Sequence, residues 1–482
     1  MTSITPSSTL FQLDDILNSI KYTSLDVAEQ LVKNLIERSL EGSIVWKKNL
    51  VYTFEETIKL IDHQISTQLN EIIHQLSFLA LEGRWRGLYY LANKSEAGEM
   101  LKITLLNVSK KTLADDLSQA IEFDQSIFFK KIYEEQFGMA GGEPYSLIVS
   151  DYAFHQTPMD IKMLYSLSNV AAAAFCPFIG AISPKFFGFD DWQMLNIPRD
   201  ISRILDGVEY NDWNEFRKFS DSRFLVLTLP RVLARLPYGE KTFPVESFCY
   251  EEADTPLKHN QYCWMSAAYV LAERMSYAFS QYGWCTAIRG MTSGGKVDDL
   301  PLHIFKSEEG DLAVKCPTEI GITDRREAEL SALGFLPLCH YKNTNYAVFF
   351  GSETVHKAPQ YDSVNAMNNA CISSKLPYLM ATARFTHYLK IMARDKVGAF
   401  MQAAEIEAWL NRWILNYVNA NAQTTENLKA KYPLAAANIV VKSILGKSGY
   451  YKMVIWLKPW LHLEELTVSM RLVTEIPILK QR

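Results

Sequence analysis

From Leu101 onward, apolar runs of strand length alternate with stretches of helical periodicity, and this alternation limits the fold more than any other feature of the chain. LKITLLNV from Leu101, YSLIVSDYAF from Tyr145 and RFLVLTL from Arg223 have the length and composition of strands. Met159–Ala174, Tyr262–Gln281 and Asp324–Leu333 carry apolar residues at helical spacing. Each such element has to bury its apolar side against another layer. The predicted class is therefore α/β, in a mixed α+β arrangement with a central sheet flanked by helices. Pro230–Gly239 and Gly290–Pro301 read as loops between these elements. At 482 residues the chain has room for two or three domains, with cores that need neither disulfide nor metal.

The two ends depart from this pattern. Residues 1–9 are rich in Ser, Thr and Pro, and an amphipathic helix follows with Leu10, Leu13, Leu17 and Ile20 beside Asp14 and Asp15. A second helix is predicted from Leu25 to Leu40, capped by Ser24 and ended by Gly42. Residues 1–50 thus form an N-terminal helical arm. A longer helix is predicted from Thr53, where Thr53 and Glu56 have capping-box spacing, to about Leu81. Its residues Ile58, Ile61, Ile65, Leu69, Ile72, Leu76 and Leu79 step by three or four and suit a helical partner. This helix opens a central domain, 51–360. A polar stretch at Ala358–Asp362 marks the boundary with a C-terminal domain, 361–482. There two helices, Ser363–Lys396 and Gln402–Asn419, precede strands near Asn438–Ile444, Tyr450–Lys458 and Leu463–Val473. In the last strand Leu466, Val468, Met470 and Leu472 alternate with Thr467, Ser469 and Arg471, the period of a half-buried strand.

Composition removes several functional classes. With 54 acidic and 49 basic residues the net charge is −5, so there is no global basic field of the kind nucleic acid requires. The seven cysteines are scattered without CxxC spacing, which argues against a disulfide framework or a zinc ribbon and for a reducing cytoplasm. The first basic residue is Lys21 and no signal-like apolar run precedes it, so no secretory signal is expected. The longest nearly apolar stretch, Val170–Ile182, is broken by Pro177 and falls short of the ~20 residues that span a bilayer. No membrane insertion is expected.

Catalytic motifs fail on inspection. Gly290-Met-Thr-Ser-Gly-Gly-Lys296-Val297 satisfies the first seven positions of the phosphate-binding loop. Val297 then replaces the hydroxyl that ligates magnesium, and Asp298, Asp299 and Pro301 stand where a phosphate-cradling helix should begin. Gly446-Lys447-Ser448 reads as a hairpin turn. The nine histidines form no HExxH or other paired ligand spacing. Cys176 and Cys285 sit in apolar contexts where cysteine behaves as a small hydrophobe. No GxSxG elbow occurs, and no GxGxxG follows a strand. Catalytic, cofactor and metal sites are all expected to be absent. The charged start Asp324–Glu329 suits a solvated helix start with acids at its positive end, or an arginine-bearing subunit contact.

The run Lys315–Gly351, KCPTEIGITDRREAELSALGFLPLCHYKNTNYAVFFG, resembles a signature of the large subunit of the type VI secretion contractile sheath, the TssC/VipB family. LEGRWRGLYYL from Leu81, FFKKIYEEQFGMAGGEPYSLIVSDYAF from Phe128, SNVAAAAFCPFIGAISPKFFGF from Ser168 and DSRFLVLTLPRVLARLPYG from Asp221 fall in that family's order. YGWCTAIRGMTSGG from Tyr282, RFTHYLKIMARDKVGAF from Arg384 and LEELTVSMRLV from Leu463 complete the series.

The resemblance implies a structural protein, not an enzyme. Its partners would be a small sheath subunit of the TssB/VipA type, copies of itself in a helical lattice, an Hcp tube, baseplate proteins and the ClpV unfoldase. Energy would be stored in the metastable lattice, so no nucleotide site is needed. By the same resemblance, Leu13, Ile16, Leu17 and Ile20 are candidates for an unfoldase-binding or assembly helix. Leu466, Val468, Met470 and Leu472 are candidates for a strand exchanged between subunits, and Glu405 and Glu407 for acids facing the tube. The alternatives are a sheath subunit of another phage-tail-like device and a cytoplasmic α/β enzyme.

Overall fold

The structure, a computed structural model, describes residues 50–96, 98, 100–240, 242–245, 248–252, 257–306, 310–396, 402–421, 423–443 and 451–460. Leu13, Ile16, Leu17, Ile20, Leu466, Val468, Met470, Leu472 and the turn at Gly446 lie outside the described residues. The chain divides into two compact units: the first holds described residues up to Leu79 together with Leu236–Tyr262, and the second holds the remainder.

In the first unit, α1 (Leu50–Ile73) begins before Thr53, so the expected capping box lies inside the helix and does not start it. The predicted single helix is also interrupted. Gln75 N–H bonds to Ile72 O at 3.2 Å, a tighter turn, while its own carbonyl accepts from Leu79 N–H at 2.9 Å and starts α2 (Leu76–Lys94). The segment 248–252 is bonded to the end of α1: Tyr250 Oη donates to Asn70 Oδ1 at 2.6 Å, and the His74 ring lies 3.1 Å from the Glu252 carboxylate. Ile58, Ile61, Ile65 and Ile72 of the expected packing stripe are exposed among the described residues.

The second unit is built on a six-stranded sheet. After α3 (Lys110–Gln119) come β1 (Ile148–Phe154), α4 (Pro158–Ala174), β2 (Phe178–Ile182), α5 (Asn211–Lys218) and β3 (Leu225–Leu229). A two-residue ladder joins β4 (Val232–Leu233) to β5 (Trp264–Met265), and α6 (Ala267–Tyr282), β6 (Lys296–Val297) and a hairpin of β7 (His303–Lys306) and β8 (Leu312–Lys315) follow. Then come α7 (Asp324–Ala332), β9 (Leu336–His340) and β10 (Ala347–Phe349). The sheet order is β1-β2-β3-β9-β10-β6, parallel from β1 to β9 and antiparallel beyond. All five residues of β2 and of β3 are buried, as parallel strands covered on both faces require. One core holds Leu164 and Leu167 of α4 with Trp213 of α5, Phe186 and Phe335; the other holds Val270, Leu271 and Met275 of α6 with Val297 and Phe349.

LKITLLNV forms no strand. Among the described residues, Val108 O accepts from Tyr152 Oη of β1 at 2.7 Å, and Lys110 Nζ, at the start of α3, donates to Ala153 O at 2.8 Å.

Buried charges brace this unit. Burial alone would raise the Glu82 carboxyl. Arg235 and Arg86, with Nε atoms at 2.6 Å and 2.7 Å, hold it below its ordinary value. Arg217 is buried, which lowers its pKa to about 10, and it donates to Val355 O at 3.1 Å and to Ala332 O at the end of α7 at 3.0 Å. Of the charged run in α7, Arg326 donates to Ile197 O and pairs with Glu329 at 2.6 Å, so it is spent within the chain.

The C-terminal part corrects the predicted Ser363–Lys396 helix. Two helices are present, α8 (Val364–Ser373) and α9 (Leu376–Asp395), because Pro377 in the first turn of α9 lacks an N–H and prevents a continuous helix across Ser374. α10 (Ala403–Ile414) leads through a 3-10 turn to β11 (Leu434–Ser443) and β12 (Tyr451–Pro459).

Candidate assembly surfaces

β11 and β12 form an antiparallel pair in continuous register from Ala436↔Lys458 to Ser443↔Tyr451. Period-two alternation splits it into two faces. Ile439 and Val441 of β11, with Met453, Ile455 and Leu457 of β12, pack with Leu410 and Ile414 of α10 and Phe385 of α9. The opposite face carries Asn438, Val440, Lys442, Lys452, Val454, Trp456 and Lys458, with Val454 and Trp456 largely exposed. An exposed Trp and Val on a sheet rimmed by lysines is the kind of patch that a partner covers.

The two edges of the pair differ. At β11, Asn411 Nδ2 donates to Ile439 O at 2.7 Å and Asn411 Oδ1 accepts from Ile439 N–H at 2.9 Å, so one side-chain amide imitates a neighbouring strand. Glu407 Oε2 accepts from Val441 N–H at 2.8 Å. Side chains from α10 therefore occupy the backbone groups along that edge. The outer edge of β12 has no ladder partner among the described residues. A strand edge that lacks a ladder partner is a template for strand addition.

The two candidate acids consequently have different surroundings. Glu405 is exposed at the start of α10, where its carboxylate accepts from Gln402 N–H at 3.0 Å in a capping box. Glu407 is half-buried against β11. Sequence reasoning grouped them by charge and missed the guarding role of Glu407 and Asn411. The available signal was their spacing of four on one helix, ahead of an apolar strand.

The glycine-rich loop before β6 is spent on the fold. Gly290 N–H donates to Phe349 O at 2.7 Å, Gly295 N–H to Gly290 O at 3.0 Å, and Phe349 N–H to Gly295 O at 3.0 Å. Gly294 has φ +90°, and a Cβ there would lie 2.1 Å from Ala287 O. Lys296 enters a strand and pairs with Asp298 at 2.7 Å. These amides face protein, not a phosphate cradle.

Among the described residues no three His, Cys, Asp or Glu side chains gather in a way that would hold a metal ion, and no helix is long and apolar enough to cross a membrane. Burial pushes the Cys285 thiol up to about 11 and the Cys176 thiol further. Burial also raises the Cys316 thiol, but hydrogen bonds from His340 and Thr318 outweigh it and leave that thiol below its ordinary value.

Two family models match the chain: "EvpB/VC_A0108, tail sheath N-terminal domain" (VipB) over residues 55–356, and "EvpB/VC_A0108, tail sheath gpW/gp25-like domain" (VipB_2) over residues 365–476. A curated relative, the type VI secretion system sheath protein TssC1 of Pseudomonas aeruginosa, is 45% identical over 459 residues, covering 95% of this chain and 92% of the relative. Among solved structures, a chain of the anti-feeding prophage baseplate has a TM-score of 0.38 at 9% identity, covering 78% of this chain and 83% of that one. A chain of the contracted anti-feeding prophage sheath has a TM-score of 0.28 at 10% identity, covering 64% and 66%.

Proposed function

The chain belongs to the VipB tail sheath family and is a large subunit of the type VI secretion contractile sheath; from that premise we propose that it pairs with a small TssB/VipA-type subunit and polymerises around an Hcp tube. Contraction of this lattice, anchored on baseplate proteins in the bacterial cytoplasm, ejects the tube. The work is mechanical and draws on contacts between subunits, with no catalytic group or cofactor invoked. The observation that supports this reading is the β11–β12 pair, with one edge filled by Asn411 and Glu407, the other without a ladder partner among the described residues, and an apolar patch on its solvated face. Deleting the gene in its host is expected to stop export of the tube protein into the medium, with export restored by a plasmid copy. Export undiminished by the deletion would overturn the proposal.

In this reading Leu466, Val468, Met470 and Leu472 form the strand that one copy lends to the open β12 edge of the next. Their one-sided alternation suits a sheet with one buried and one solvated face. Leu13, Ile16, Leu17 and Ile20 present a helix to the ClpV unfoldase for recycling of contracted sheaths. Removal of residues 1–22 should leave assembly intact and make contracted sheaths persist; normal disassembly would remove the recycling role.

The candidate tube-facing acids separate by mutation. Glu405→Gln should weaken tube retention in purified sheaths while leaving thermal stability within about 0.5 kcal/mol, because glutamine keeps the capping-box acceptor for Gln402 N–H and a solvated surface charge contributes ~0–1 kcal/mol and acts through repetition. Glu407→Ala strips the Val441 N–H of its acceptor and should destabilise the C-terminal part by roughly 1–3 kcal/mol. Proteolysis of the purified chain and the amount of tube bound per sheath measure the two effects. Equal behaviour of the two variants would contradict the division.

A further inference from the structure

The connection that leaves β8 meets the end of β9 around one thiol. Cys316 follows β8 directly, and the residues after it are tied to the start of the 231–233 segment: Leu233 N–H donates to Pro317 O at 2.7 Å, and Glu319 N–H to Arg231 O at 3.0 Å. The half-buried Cys316 sulfur is hydrogen-bonded to two side chains, the His340 ring at the end of β9 and Thr318 Oγ1 at 3.1 Å. His340 is held in its turn by the loop between β9 and β10, where Nε2 meets Thr344 O at 2.8 Å. That loop is fixed by Asn343 in the left-handed region (φ 61°), which asparagine tolerates, and by Thr344, whose N–H and Oγ1–H donate to Tyr341 O at 3.2 Å and 2.8 Å.

A carbonyl oxygen can only accept. Nε2 of His340 therefore carries a hydrogen, and in the neutral ring Nδ1 is the basic nitrogen that takes the Cys316 proton. Nucleophile, base and orienting group then stand in series, the arrangement by which a thiol is activated. The Thr318 hydroxyl has Ile320 O at 2.8 Å and the sulfur at 3.1 Å as alternative acceptors, so its hydrogen can turn to a thiolate. Burial opposes charge on both members of the pair, lowering His340 and raising Cys316. Their mutual hydrogen bond outweighs it and leaves His340 above its ordinary value and Cys316 below. The charged neighbours in sequence have other partners: Lys315 Nζ lies over the Trp264 ring at 5.8 Å, and Glu319 pairs with Arg231 at 2.6 Å. Cys285 supplies the contrast. Its Sγ donates to Met275 O at 3.5 Å, an acceptor that holds the protonated thiol, and burial pushes it up to about 11.

We infer that Cys316 is a redox-modification site, a thiol activated by His340 that reacts with low-molecular-weight disulfides of the glutathione class. The Cys316 thiolate attacks one sulfur of the disulfide, and a mixed disulfide forms as the S–S bond of the reagent breaks. The departing sulfur leaves as a thiolate and takes up the proton held on His340 Nδ1. The protein sulfur is oxidised, and the disulfide is the oxidant. This chemistry requires only the folded chain.

The test incubates the full purified chain with glutathione disulfide between pH 6.5 and 8 and follows the adduct on Cys316 by mass spectrometry, beside a short unstructured peptide spanning residues 314–319. The peptide thiol should react roughly twentyfold faster at the upper pH, as the thiolate fraction of an ordinary thiol rises. Cys316 in the folded chain should gain less than about fivefold, because its proton is already shared with His340 at the lower pH. His340→Gln keeps a donor for Thr344 O but supplies no base, and should restore the steep profile with circular dichroism unchanged. A Cys316 profile that parallels the peptide, or one left shallow by His340→Gln, would overturn the site and reduce the pair to a neutral hydrogen bond. Modification of the exposed Cys249 and Cys371 with none on Cys316 would overturn it too. If His340→Gln does not fold, the wild-type profile against the peptide decides alone.

Discussion

Cells producing the chain with Val468→Pro are expected to assemble no sheath, with the protein remaining in the soluble fraction where wild-type tubules pellet. Proline removes the N–H that a lent strand contributes to the ladder, and its ring disfavours a central strand position. The alternation of Leu466, Val468, Met470 and Leu472 with polar residues leaves no slack, since a one-residue slip would turn every apolar side chain to the solvated face. Val468→Thr keeps both the N–H and the β-branched shape and should assemble. The contrast between the two variants separates loss of a ladder bond from loss of side-chain burial. Wild-type pelleting of the Val468→Pro protein would remove strand exchange from the account.

The second large effect concerns the fold and not the lattice. Glu82→Ala should destabilise the folded chain by ~3–5 kcal/mol, because it removes the carboxylate that two arginines share in a low-dielectric site. Arg235 is only 7% exposed and Glu82 14%, so water cannot replace the lost partner easily. Glu82→Gln keeps the shape and part of the hydrogen bonding and should cost less. Thermal melts of the purified chain check the ranking, with the alanine variant lower by several degrees. A shift below about 1 °C for Glu82→Ala would show that the cluster is solvated and contributes little.

Much of the second unit was legible because parallel, doubly covered strands are spelled as nearly uninterrupted apolar runs, as at Leu225–Leu229, and because apolar residues at helical spacing over Met159–Ala174 and Asp324–Leu333 fall on the helices Pro158–Ala174 and Asp324–Ala332. LKITLLNV misled for a physical reason. Strand propensity describes a segment, whereas a strand exists only when a neighbour supplies its hydrogen bonds, and residues 101–109 have none along most of their length among the described residues. The stripe from Ile58 to Ile72 has a similar lesson, with its period correct and several of its side chains exposed. Glu405 and Glu407 show that charge alone does not distinguish a solvated acid from one that occupies a strand edge.

The loop at Gly290 matches most of a phosphate-binding pattern, yet its glycines serve close backbone packing against β10. A motif read without its strand-to-helix context would have pointed to a nucleotide.

Co-expression of this chain with the small sheath subunit, followed by negative-stain electron microscopy of the pelleted material, tests the central claim most directly. The account predicts hollow cogwheel-profiled tubules containing both chains, formed without added nucleotide and lost on Val468→Pro. A soluble monomer that forms no tubules and binds no small subunit, or one stabilised by nucleotide, would contradict it.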